Sequence, residues 1–161
     1  MKSVKAIYKI GKGPSSSHTM GPFKCVSNYI ENHPEAAQLH VTLYGSLAAT
    51  GKGHLTDRAV IDACGGRPVT IAWEPKENLP VHPNGLIAGV LESDGSVTDP
   101  WTYYSVGGGD IICIENPIVE EDTDDVYEMT TMADILQWCN TNGRSFWEFV
   151  DEHESRTPGF W

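Results

Sequence analysis

Apolar residues recur along the chain with two different periods, and these periods predict both helices and strands. Between Met20 and Ile30 they follow helical spacing, and either Ser17 or Thr19 is placed to cap the helix. Between Leu39 and Leu43 they alternate with polar residues, which is typical of a half-buried strand. The chain therefore contains elements of both kinds from its first third onward.

The same patterns predict the remaining elements. Further strands are expected at Val69–Trp73, Leu86–Leu91, Ser96–Tyr104 and Ile111–Ile114. Further helices are expected after the N-cap Ser3, over Ala59–Ala63 with Thr56 or Asp57 as its cap, and at the apolar stripes 132–139 and 146–150. Helices and strands follow each other without a regular alternation, so the predicted fold is α+β, a single domain with helices packed on a mixed sheet.

Composition and charge exclude several classes of function. The chain has 161 residues, which favours one domain, and 22 acidic against 11 basic residues give a net charge of −11. This balance argues against nucleic-acid binding through a basic face. No apolar stretch approaches the ~20 residues that cross a bilayer. The polar start at residues 1–5 does not resemble a secretory signal, so we expect a cytoplasmic protein without membrane contact.

Cysteines and acidic residues give little sign of a metal site. The four cysteines are far apart and form no C-x-x-C pair, so we expect buried, reduced thiols: Cys25, Cys64, Cys113 and Cys139. A self-contained zinc or iron–sulfur site normally shows a close cysteine pair, so the pattern argues against a cluster held by this chain alone. The acidic run 120–125 lacks EF-hand spacing and is interpreted as a solvated loop.

The first segment with candidate chemistry is the hydroxyl-rich loop at 11–22. Ser15, Ser16, Ser17, His18 and Thr19 lie at a predicted helix start, where hydroxyls and backbone N–H groups suit a carboxylate or phosphate. A capped turn whose serines only satisfy backbone groups is the alternative. The loop is not a Walker motif, because the Gly-Lys-Ser/Thr spacing is missing.

Two further glycine-bounded loops carry candidate chemistry. His54 lies between Gly53 and a predicted helix start, and histidine's ordinary pKa of about 6.5 suits proton transfer near neutral pH. Asp57 or Thr56 can fix its tautomer, although a plain surface histidine is the alternative. The run Gly107–Gly109 allows a concave anion nest, or equally a structural bulge.

Four motifs together resemble one known family. They are GKGPSSSHTMGP at 11–22, LYGSLAATGKGHLTD at 43–57, HPN at 82–84 and SVGGG at 105–109. In this order they resemble the β chain, or β domain, of iron–sulfur-dependent L-serine dehydratase. Leu55 stands where that family usually has a second glycine, and Asp110 stands where an aromatic or apolar residue is common.

The resemblance implies a function and a partner. Family enzymes convert L-serine to pyruvate and ammonia with a [4Fe–4S] cluster whose cysteines lie in a separate α domain or α chain. On this basis residues 1–154 would form the β domain, 155–161 a tail or linker, and the assembly a homo-oligomer. The β domain of the family is similar in fold to the allosteric substrate-binding domain of phosphoglycerate dehydrogenase.

The resemblance also assigns roles to residues. His54 and His18 are the catalytic candidates, and the choice of base between them stays open. The predicted substrate-binding residues are Ser15, Ser16, Ser17, Thr19, Gly107 and Gly108, with no metal ligand in this chain. Two other hypotheses remain at this point: a regulatory module that binds serine or another small anion, and a subunit that only stabilises the cluster domain.

Overall fold

A computed structural model describes residues 1–118 and 125–161, which form two compact units. The larger unit comprises Ile10–Ile118, and the smaller one combines the first nine residues with the C-terminal part of the chain. Residues 120–124 of the acidic run lie outside the described residues, so its interpretation as a solvated loop stays a prediction.

The larger unit contains five strands and three α-helices. The strands are β1 Leu39–Tyr44, β2 Val69–Glu74, β3 Gly85–Leu91, β4 Val97–Gly107 and β5 Asp110–Cys113. The helices are α1 Gly21–Asn32, α2 Gly45–Thr50 and α3 Thr56–Ala63, and a π-helical segment at Ser16–Met20 leads directly into α1.

The five strands form one mixed sheet in the order β2-β1-β3-β4-β5. β1 runs parallel to β2, with Leu39 beside Val69, and antiparallel to β3, where Leu39 pairs with Val90. The remaining neighbours are antiparallel. The predicted α+β fold with a mixed sheet is therefore confirmed.

The core of this unit lies between the sheet and the helices. β1 alternates buried and half-buried residues, as its sequence pattern predicts. Cys25, Val26 and Tyr29 of α1 are fully buried in the same cluster as the apolar residues of β1 and β3. Helix α1 contacts β3, β4, β5 and α3, so its N-terminal end, where the candidate loop lies, is held against the sheet.

Two predicted helix caps are wrong. Ser15, not Ser17 or Thr19, caps the segment before α1, because its hydroxyl accepts the His18 N–H. Neither Thr56 nor Asp57 caps α3. Leu55 occupies that position in the left-handed region at φ 59° without a capping side chain, since the hydroxyl of Thr56 donates elsewhere.

The smaller unit joins both ends of the described chain. Its elements are a 3₁₀ turn at Val4–Ile7 and the helices α4 Met132–Asn142 and α5 Phe146–Glu154. Tyr127, Ile135, Cys139 and Phe149 form its buried cluster. Both predicted C-terminal helical stripes and the N-cap Ser3 are confirmed.

All four cysteines are buried and free, as predicted. Burial raises the pKa of the Cys64 thiol to about 11, with Arg67 acting weakly in the opposite direction. The Cys64 thiol therefore stays protonated and unreactive at neutral pH. None of the described helices has the length and apolar character needed to cross a membrane.

Candidate active site

The structure brings the first two candidate loops into contact. The rings of His18 and His54 lie 4.8 Å apart between centroids, although the two residues are 36 positions apart in sequence (54 − 18). His18 lies in the π-helical segment before α1, and His54 lies in the turn between α2 and α3. Both imidazoles are half-buried, so they border one accessible site.

Two buried threonines exchange hydrogen bonds between these loops. The hydroxyl of Thr19 donates to the carbonyl of His54 at 3.0 Å, and the hydroxyl of Thr56 donates to the carbonyl of His18 at 2.7 Å. Both threonine side chains are almost fully enclosed. Each bond joins a buried hydroxyl of one loop to a backbone carbonyl of the other, so the pair ties together the two loops that carry the histidines.

The hydrogen bonds of His54 define its tautomer. Nδ1 lies 3.1 Å from the carbonyl oxygen of Thr50, and a carbonyl only accepts, so Nδ1 carries a proton. In the neutral ring Nε2 is then the unprotonated nitrogen, and it has no hydrogen-bond partner within residues 1–118 and 125–161. The prediction that Thr56 or Asp57 fixes the tautomer is wrong, because Thr50 does so.

His18 differs from His54 because both of its ring nitrogens are occupied. Nε2 lies 3.3 Å from the carbonyl of Ser46 and 3.1 Å from the Ser46 hydroxyl, and Nδ1 lies 3.0 Å from the hydroxyl of Ser17. Burial lowers the pKa of His18; the Ser46 carbonyl opposes this shift and the neighbouring His54 adds to it. His18 is therefore a neutral ring that donates through Nε2 and accepts the Ser17 hydroxyl at Nδ1.

The serines before His18 form a directed chain of hydrogen bonds. The His18 N–H donates to Ser15 Oγ, which lies 3.3 Å from Ser17 Oγ. Because the Ser17 proton is directed at His18, Ser15 donates to Ser17. Ser16 is exposed, and neither its hydroxyl nor the backbone N–H groups of Ser16 and Ser17 has a partner in the described part of the chain. These three donors are free to bind an anion.

The glycine run forms the turn between β4 and β5. Gly107, Gly108 and Gly109 all have positive φ, at 104°, 61° and 81°, so residues with a Cβ would strain this turn. Lys24 of α1 donates to the carbonyl of Gly109 at 2.6 Å. The turn is therefore tied to α1, and the predicted substrate contacts of Gly107 and Gly108 stay predictions.

A close approach of α1 to the sheet requires glycine at position 21. A Cβ there would overlap the side chain of Ser105 in β4, which is 1% exposed. The hydroxyl of Ser105 has no hydrogen-bond partner among the residues described. The absence of a side chain at Gly21 thus lets the end of the π-helical segment lie directly on the strand.

Within residues 1–118 and 125–161, the side chains do not fit an iron–sulfur cluster. The described ranges contain no group of three or more His, Cys, Asp or Glu side chains arranged to hold a metal ion. Burial raises the pKa of Cys25 far above its ordinary value, with the nearby Cys113 acting in the same direction, so this thiol resists the deprotonation that ligation requires.

Comparison with known proteins decides the family. The model of the serine dehydratase beta chain family matches residues 3–70 and 66–116, which include the π-helical segment, both histidines and the glycine turn. The chain belongs to the serine dehydratase β-chain family. It is 30% identical over 195 residues to the L-serine dehydratase of Helicobacter pylori, covering 95% of this chain and 43% of that protein.

Other relatives give the same result. The L-serine dehydratase of Haemophilus influenzae is 30% identical over 99% of this chain and 44% of its own length. L-serine dehydratase 1 of Escherichia coli is 31% identical over 90% of this chain and 41% of its own length. This β chain therefore spans less than half the length of the curated relatives it matches.

The sequence does not identify Ser46 and Thr50 as residues of the site, and it predicts a different role for Thr56. Ser46 holds His18, Thr50 fixes the tautomer of His54, and Thr56 binds the carbonyl of His18. Ser46 and Thr50 lie on α2, a short helix that the patterns of apolar residues do not predict. All three fall within the motif at 43–57, and helical spacing between Ser46 and Thr50 is the signal that could have found them.

Proposed function

We propose that this β chain contributes active-site residues to an L-serine dehydratase, which converts L-serine to pyruvate and ammonia. The observation that carries the proposal is Nε2 of His54, which has no partner among the described residues. It accompanies a segment with a free O–H donor at Ser16 and free N–H donors at Ser16 and Ser17. A base and a carboxylate-binding segment are the two groups that the first step of this reaction needs from a protein.

The chemistry explains why these two groups are needed. The α-proton of serine is weakly acidic, and a positioned base typically accelerates its removal by about 10²–10⁴-fold. Negative charge develops next to the carboxylate as the proton leaves, so donors fixed at the carboxylate stabilise the transition state. In our proposal Nε2 of His54 takes the α-proton, and Ser16 with the backbone of Ser17 binds the carboxylate.

His18 has a positioning role in this proposal. Its nitrogens are occupied by Ser17 and Ser46, so it orders the serine segment and supports His54 without accepting the α-proton. Thr19 acts through the carbonyl of His54, and direct contact of Ser15 or Thr19 with substrate stays a prediction. We place the [4Fe–4S] cluster of the family on an α partner or fused α domain, because the cysteines of this chain do not fit it.

Reconstitution tests the proposal. The chain is combined with a serine dehydratase α chain that carries its cluster, and pyruvate release from L-serine is measured for the α chain, the β chain and the mixture. We expect turnover only in the mixture. Full turnover by the α chain alone would contradict an active-site contribution from the β chain.

The carboxylate site gives a separate prediction. Replacing Ser16 with alanine is expected to lower kcat/KM for L-serine about tenfold, through a higher KM and a lower kcat, because it removes one hydrogen bond to a charged group that strengthens as the α-proton leaves. Ser27→Ala is the matched control, since Ser27 lies within α1 outside the candidate site. An unchanged kcat/KM for Ser16→Ala would remove Ser16 from the substrate site.

Calorimetry separates this proposal from the regulatory hypothesis. If the β chain contributes only part of the active site, it is expected to bind L-serine weakly when isolated, because the rest of the site belongs to its partner. Tight binding of L-serine by the isolated β chain, together with full turnover by a His54 variant in the assembled enzyme, would favour a regulatory module and contradict a catalytic role.

A further inference from the structure

An apolar pocket lies beside the histidine site but is lined by other residues. Its volume is about 390 Å³, within the usual range for small-molecule sites. Its apolar walls come from Ile10, Met20, Phe23, Leu55 and Ala59. Neither histidine and none of the three serines at positions 15–17 lines this pocket.

The walls are accessible from solvent. Ile10 is fully exposed, and Phe23 and Leu55 are 38% and 47% exposed. Leu55 is held in the left-handed region at φ 59°, a conformation that is costly for leucine. Leu55 therefore supplies one part of the pocket's apolar lining, which a glycine at this position would not.

The rim of the pocket is cationic, although the protein is strongly acidic. Lys12, Lys24 and Arg58 line the pocket together with a single carboxylate, that of Asp62. Lys12 pairs with Asp62 at 2.7 Å, and Lys24 donates to a backbone carbonyl. The exposed guanidinium of Arg58 has no partner among the residues that the structure describes.

We propose that this pocket binds a small amphipathic acid, with a branched or aromatic body among the apolar side chains and its carboxylate on Arg58. Apolar walls disfavour a small polar molecule such as serine, so the site is distinct from the proposed substrate site. The free guanidinium supplies a two-pronged donor that matches a carboxylate. Three cations against one carboxylate favour an anion over a cation.

The location of the pocket connects it to the histidine site. Thr19 lines the pocket, and its hydroxyl holds the carbonyl of His54. Leu55 follows His54 directly in sequence. A bound acid would therefore contact the residues that fix the backbone of His54, although its binding does not depend on the proposed dehydratase function.

Methyl NMR of the full chain tests the site with a defined probe. Five lining residues carry methyl groups, and the four apolar ones serve as reporters: Ile10, Met20, Leu55 and Ala59. Leu136 in α4 serves as a reference. Indole-3-acetate is titrated as the probe, with indole-3-acetamide and acetate as ligands that lack the charge or the apolar body. We expect saturable shifts of the four lining methyls with indole-3-acetate and at least tenfold weaker binding of the other two.

A charge-reversal variant tests whether Arg58 binds the carboxylate of the probe. Arg58→Glu is expected to weaken indole-3-acetate binding about tenfold or more, because it replaces the partner of the carboxylate with a like charge. Lys76→Glu makes the same change in net charge at an exposed site outside the pocket and should leave binding unchanged. Unchanged spectra of residues remote from position 58 confirm that the variant folds.

Several outcomes would overturn the proposal. They are the absence of saturable shifts, equal binding of the acid and the amide, and equal effects of the two charge reversals. Shifts of the same methyls with protein concentration, in the absence of probe, would show a contact between copies instead of a ligand site.

Discussion

Replacing His54 with asparagine is expected to lower kcat for L-serine by about 10²–10⁴-fold in the assembled enzyme. The asparagine amide can still donate to the Thr50 carbonyl in place of Nδ1, so the turn between α2 and α3 is retained. What is lost is Nε2, which has no partner in the described structure and is the proposed base. The assay is steady-state pyruvate release, with KM and kcat measured separately.

Two further histidine variants make this result specific. His40→Gln alters a half-buried histidine on β1 and should leave turnover unchanged. His18→Asn should reduce turnover less than His54→Asn, because His18 orders neighbouring groups. Near-normal turnover by His54→Asn, with a large loss of turnover in His18→Asn, would instead identify His18 as the base. Full turnover by both would exclude either histidine as the base.

Glu154→Gln is expected to have the largest effect on stability, about 3 kcal/mol or more in the smaller unit. The carboxylate is fully buried and accepts three hydrogen bonds, from Ser3 Oγ at 2.6 Å, Val4 N–H at 2.7 Å and Tyr127 Oη at 2.6 Å. Glutamine has the same shape but directs an N–H₂ group at some of these donors. Hydrogen exchange of the Val4 amide measures the loss locally.

The same carboxylate gives a pH dependence with a defined sign. Burial acts to raise the pKa of Glu154, but the hydrogen bonds from Ser3, Tyr127 and Val4, with Lys5, outweigh it and hold the pKa below the ordinary 4.5. A lowered folded-state pKa stabilises the fold above the unfolded-state pKa, and this contribution disappears as the pH falls through the folded-state value. Wild-type protection of Val4 should therefore fall in acid more steeply than that of Glu154→Gln.

Glu152→Gln is the control for both measurements. Glu152 lies on the same helix, is exposed and approaches Arg156 only at 3.9 Å, so its replacement should cost less than about 1 kcal/mol. Equal protection of Val4 in Glu154→Gln and Glu152→Gln would show that the buried carboxylate does not hold the N-terminal segment.

The strands could be predicted from sequence because burial on one face of a sheet leaves a period of two. β1 shows this directly, with alternating buried and half-buried residues from Leu39 to Tyr44. The short helix α2 could not be predicted, since Gly45 and the alanines that follow give no apolar stripe. The predicted caps of α1 and α3 are wrong because Thr19 and Thr56 form long-range hydrogen bonds, which local sequence does not record.

The site was predictable in composition but not in geometry. The motifs named His18, His54 and the serines, and the structure places the two imidazoles together. The two rings carry their protons on different nitrogens because of Ser46 and Thr50. These two residues reach the histidines only in the folded chain. The preference for His54 as the base therefore comes from hydrogen-bond partners, which no spacing in the sequence reveals.

Long-range ¹H–¹⁵N correlation of the histidine rings in the intact chain tests the central claim most directly, since it identifies which nitrogen of each neutral imidazole carries the proton. We predict a proton on Nδ1 of His54, leaving Nε2 open to substrate, and a proton on Nε2 of His18. A neutral His54 with its proton on Nε2 would contradict this claim, because this β chain would then present no free basic nitrogen at the site.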